Sequence, residues 1–149
     1  MITMALEVVV IPVADVERAI RFYTCLGWRR DADLVKGPAF RLVQFTPPGS
    51  ACSIHFGTGI TSAKPGSAGA MYLVVSDVVA AREELLARGV DVSEVFHRPP
   101  GEDYIAGPHP QRRSYASFVS FVDPDGNAWV VQEVTTRLPG RVSEAPVRA

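Results

Sequence analysis

Two mostly apolar, strand-forming runs flank the polar stretch Asp123-Pro124-Asp125-Gly126-Asn127, within residues 117–134. Asp opens this turn, Pro follows with φ already set, and Gly stands where the chain must reach φ > 0, a combination that closes a hairpin. Beyond the turn, Trp129, Val131 and Glu133 share one strand face, and Ala128, Val130 and Gln132 the other. Near the start, residues 5–13 form a nearly unbroken apolar run rich in β-branched side chains. Such a run predicts a strand buried on both faces, ended by Pro12 or lying at an edge there. Asp15 then suits a helix N-cap and Gly27 a helix end. Between them Val16, Ala19, Ile20, Phe22 and Tyr23 make an apolar stripe opposite Glu17, Arg18 and Arg21. This predicts an amphipathic helix of about three turns.

The same design returns later. Residues 71–89 run from an apolar stretch to Asp77, another N-cap candidate, and on through Val78, Ala81 and Leu85 to Gly89. The spacing from Asp77 to Gly89 equals that from Asp15 to Gly27, and the two pairs are 62 positions apart. Phe45–Gly49 and Val122–Gly126 align at 77 positions, so the second unit is longer by 15 residues. Self-similarity of this kind predicts two β-α-β-β-β units in one domain, residues 5–57 and 71–136. Residues 58–70, rich in Gly, Ser and Pro, read as their linker. The extra length falls near residues 93–114, a Pro- and Gly-dense segment holding His97, Tyr104 and His109. Residues 137–149 show no periodicity and read as a disordered tail. In the first unit Pro stands third in Thr46-Pro47-Pro48-Gly49, which predicts a different turn type there.

Composition narrows the partners. The chain has 149 residues, one domain's worth, and its 15 basic and 16 acidic side chains leave a net charge of −1. No basic patch invites a nucleic acid, and no apolar run approaches the ~20 residues of a membrane-spanning helix. Met1 leads into an apolar run without a charged leader, so a cytoplasmic location is expected. Cys25 and Cys52 fit reduced thiols better than a disulfide framework, with a single bridge between them left open.

Two stretches carry a resemblance: Ile11–Asp15 running into Phe22-Tyr23 and Leu26-Gly27, and Phe121–Asn127 running to Gln132-Glu133. In order, spacing and duplication they resemble the vicinal oxygen chelate superfamily, which includes glyoxalase I, bleomycin-resistance proteins and extradiol dioxygenases. The resemblance implies an α+β fold of two β-α-β-β-β modules paired into an open, cup-shaped barrel around a small ligand, and it allows a homodimer. It also implies divalent-metal ligands on the first and last strand of each module. Those positions fall near Val8 and Ala70, on Phe56 and on Glu133. Three or four N/O ligands are the usual minimum, and only Glu133 qualifies, so no metal is expected.

Glu133 is therefore the candidate catalytic or polar group of the cup, weighed against a strand carboxylate paired with an Arg. Val8, Val10, Phe56, Ala70, Tyr72 and Trp129 are expected as pocket walls, with core packing the competing role for the aromatic residues. His55, next to Phe56, should face away from it unless a bulge intervenes, and then makes a local hydrogen bond. His97, His109 and Tyr104 reach the cup only if the extra segment folds over it. Arg41 and Arg112-Arg113 are candidates for an anionic substituent, with surface solvation the default. The first expectation is a binding protein of the bleomycin-resistance type that holds an apolar or aromatic molecule without metal. The alternative is a metal-dependent lyase, isomerase or dioxygenase using Glu133, His55 and a loop histidine. An accessory domain without a ligand is the third.

Overall fold

In the first unit, β1 (Val8–Val10), α1 (Val16–Cys25), β2 (Arg29–Val35), β3 (Arg41–Thr46) and β4 (Ser53–Thr58) follow one another. The second consists of β5 (Met71–Val75), α2 (Val78–Ala87), β6 (Phe96–His97), β7 (Ile105–Ala106), β8 (Ser117–Val122) and β9 (Ala128–Glu133). These elements belong to a computed structural model that describes residues 1–139. The disorder expected for the tail falls mostly outside the described residues. The Asp15 side chain caps α1 by accepting from the Arg18 N–H, and Asp77 caps α2 by accepting from the Val79 and Ala80 N–H groups.

The first sheet has the order β1-β4-β3-β2 and the second β5-β9-β8-β6-β7. In each, the opening strand lies parallel to the last strand, and the strands in between are antiparallel. The architecture is α+β, two β-α-β-β-β modules whose sheets do not close into a barrel and leave an open cup. Two details differ from expectation. β1 is short and lies at a sheet edge, with Val10 exposed, so it is covered on one face only. The extra segment is partly ordered as a fifth strand, β7, paired to β6.

Strand alternation divides each sheet into two faces. Val9, Val43, Phe45, Ile54 and Phe56 of the first, and Leu73, Val119, Phe121, Trp129 and Val131 of the second, join residues of α1 and α2 in one core. The opposite faces carry no helix among the described residues.

The Asp123–Asn127 turn fastens the two modules. Asp123, 3% exposed, accepts from the Tyr23 hydroxyl of α1 at 2.9 Å and from the Asn127 side-chain amide at 2.8 Å. It also accepts from the backbone N–H groups of Asp125 and Asn127. Asn127 donates to the Pro12 carbonyl and accepts from the Ala68 N–H, while the Tyr23 oxygen accepts from Trp129 Nε1 at 3.1 Å. The linker runs tight beneath this turn. Gly66 has φ +79°, and a Cβ there would lie 2.0 Å from the Asp125 carbonyl oxygen. Gly66→Ala is expected to cost about 2 kcal/mol, read from urea-unfolding midpoints.

Candidate functional site

Glu133 lies on the helix-covered face. It is 1% exposed and sits at the start of α2, where Oε2 accepts from the Val78 N–H at 2.9 Å. Arg112, from the extra segment, donates Nε to Oε1 at 2.9 Å and an Nη to Oε2 at 2.5 Å. The same guanidinium reaches Asp77 at 3.2 Å. Arg112, and more weakly the Val78 N–H, hold the Glu133 carboxyl below its ordinary value although burial opposes this. Asp77 is also depressed, by its cap hydrogen bonds and Arg112. The expectation that Glu133 faces an open cup is not met: alternation groups it with Trp129 and Val131, and that is the face the helices cover. What the geometry supports is a fold-stabilising ion pair between α2, β9 and the extra segment.

Folding stability follows from these depressed carboxyls. A carboxylate whose folded-state value lies below its unfolded one stabilises the fold above the unfolded value, and that contribution disappears as pH falls through the folded value. The urea midpoint should therefore decline below about 4.5, the ordinary value for Glu133. Glu133→Gln should flatten the decline below about pH 4.5; an unchanged slope would contradict the assignment.

The other expected residues divide. Trp129 and Phe56 are core side chains, 4% and 0% exposed, packed around Tyr23. Core packing, the competing role, is where the structure puts them. Ala70 is exposed, with φ +51°, just before β5. Val8 is half-buried, Val10 exposed, and Tyr72 58% exposed on the helix-free face. Tyr104, 66% exposed, packs edge-on against Phe96, whose ring stacks on Phe118. His97 is buried, with Nδ1 at 2.8 Å from the Gly107 carbonyl and its ring against that of His109. Arg41 is taken by Asp33 and Glu17. Cys25 and Cys52 are both free thiols.

His55 lies on the helix-free face of the first sheet, and β4 runs without a bulge. The pairing registers correct the alignment made from the turns. Val10 pairs with His55 as Tyr72 pairs with Val130, so His55 matches Val130 rather than Phe56 matching Glu133. The six-residue connection after β3 is one longer than that after β8, which shifts the register. Glu133, His55 and the loop histidines are thus not brought together. No group of three His, Cys, Asp or Glu side chains able to hold a metal is found among the described residues.

Sequence reasoning missed the hydrogen-bonded chain on that face. His55 Nε2 lies 2.8 Å from Gln44 Oε1, and Gln44 Nε2 is 3.3 Å from Asp31 Oδ2. Asp31 also accepts from the Thr46 hydroxyl, which bonds to Ser53, and from Arg29 Nε at 2.5 Å. The register shift between Arg30 and Ala32 is what turns Asp31 onto this face. Thr46 and Arg29 hold its carboxyl below the ordinary value. On the second sheet the helix-free face offers Tyr72, Val74, Phe118, Ser120, Val130 and Gln132. A cleft of about 1060 Å³ wraps the free edge of β5, lined by Tyr72 and Val74 together with Trp28, Leu73, Leu85, Val131 and residues 47–52.

The profile of the Glyoxalase/Bleomycin resistance protein/Dioxygenase superfamily matches residues 5–131. Among solved structures, the chain resembles TnmS3, an antibiotic binding protein from Streptomyces sp. CB03234, at 27% identity and a TM-score of 0.67. That match covers 90% of this chain and 98% of TnmS3. A superfamily member from Sphaerobacter thermophilus DSM 20745 is 26% identical with a TM-score of 0.63, over 88% of this chain and 98% of that one. Comparison with curated protein sequences gives no significant match.

Proposed function

Because the chain belongs to the glyoxalase/bleomycin resistance protein/dioxygenase superfamily, we propose that it binds a small apolar or aromatic molecule in its cup, without using a metal. The carrying observation is the apolar second-sheet surface left without a helix, where Tyr72 and Val74 stand 58% and 42% exposed and also line the cleft. Exposed apolar surface of this kind, beside a few convergent polar groups, is what small-molecule sites offer. Likeness to an antibiotic binding protein supports the same reading.

A homodimer completes the proposal. Within one chain the two helix-free faces stay open, as Val10, Tyr72 and Val122 record. Setting the first-sheet face of one copy against the second-sheet face of another closes the cup around the ligand. The dimer is expected to sediment as such in the analytical ultracentrifuge, and a cytoplasmic location is part of the same reading. Binding of flat aromatic compounds is read by calorimetry. Tyr72→Ala should weaken it by roughly tenfold, from the apolar area a tyrosine contributes. Retention of full affinity in that variant would contradict the placement.

A further inference from the structure

We propose that His55 is a hydrogen-bond acceptor for a hydroxyl on the ligand, so that the molecules held are hydroxylated planar aromatics or enols. This deepens the binding reading and rests on it. The inference follows from the direction of the chain on the first sheet. Asp31, ion-paired to Arg29 at 2.5 Å, offers only acceptors. The Gln44 atom facing Asp31 must therefore be the amide nitrogen, which leaves Oε1 toward His55. An amide oxygen can only accept, so His55 Nε2 carries the hydrogen at that 2.8 Å contact. Thr46 donates to the same carboxylate and points the network the same way. In a neutral ring Nδ1 is then the bare acceptor, and no partner for it is found among the described residues. Val10 and Gln44 pair with His55 on either side, and His55 is half-buried. A fixed tautomer on a helix-free face, with exposed Val10 beside it, suits a ligand that brings one O–H group and a flat apolar body.

The test uses full-length protein with two matched probes, 2-naphthol and 2-methoxynaphthalene, which differ in the O–H group. Naphthalene fluorescence gives both affinities. The wild type should prefer the naphthol by roughly tenfold, the worth of one hydrogen bond that leaves no acceptor unpaired. His55→Phe should erase the preference for the naphthol over the ether. Gln44→Leu, which releases the tautomer, should reduce the preference part of the way. A second readout is specific to proton acceptance: excited 2-naphthol passes its proton to Nδ1, giving naphtholate and an imidazolium. Naphtholate emission should appear in the wild type and vanish in His55→Phe. Equal affinity for the two probes, or a preference that survives His55→Phe, overturns the proposal and leaves small-molecule binding standing. Failure of both probes to bind overturns both.

Discussion

Asp123→Ala is expected to destabilise the protein by about 3–5 kcal/mol. Four donors converge on that carboxylate, from Tyr23, the Asn127 side chain and two backbone N–H groups, in a place 3% exposed to solvent. Alanine leaves all four in a dry site without an acceptor, and an unmade buried hydrogen bond costs more than a made one contributes. The loss also loosens Tyr23, whose oxygen takes the Trp129 N–H. Burial, reinforced by Asp123, pushes the Tyr23 phenol well above its ordinary value, so it stays a donor across the working range. Urea unfolding with circular dichroism measures the effect, and a loss under about 1 kcal/mol would show that the turn does not join the modules as described.

Glu133→Ala is expected to cost about 2–3 kcal/mol. The figure is kept below that of a fully buried pair because the Arg112 side chain is 42% exposed and can turn to water. The Val78 N–H has no such escape, and Asp77 keeps only part of Arg112. Affinity for an aromatic probe, measured on the folded fraction, should stay within about twofold of wild type. Loss of binding with little loss of stability would return Glu133 to the ligand site.

Both substitutions bear on what was legible in the residues. The helices with their Asp15 and Asp77 caps, the hairpin turn and the modular order were readable because each is set by local chemistry. Alternation also grouped Glu133 correctly with Trp129 and Val131. Period-2 patterning names two faces but does not say which of them a helix will cover. One side chain held the needed signal: Trp129, the largest in β9, lies on the core face, opposite Ala128 and Gln132. The Asp31–Gln44–His55 chain was out of reach for another reason. It depends on a register shift in β2 and on pairing between three strands, and no short spacing announces either.

The most direct test of ligand binding on the helix-free faces is a backbone-amide NMR titration of the full chain with 2-naphthol. Shifts are expected to gather at Val10, His55 and Gln44 on the first sheet, and at Tyr72, Val74 and Val130 on the second. Shifts centred on Glu133, Arg112 and the start of α2, or none at saturating probe, would contradict it.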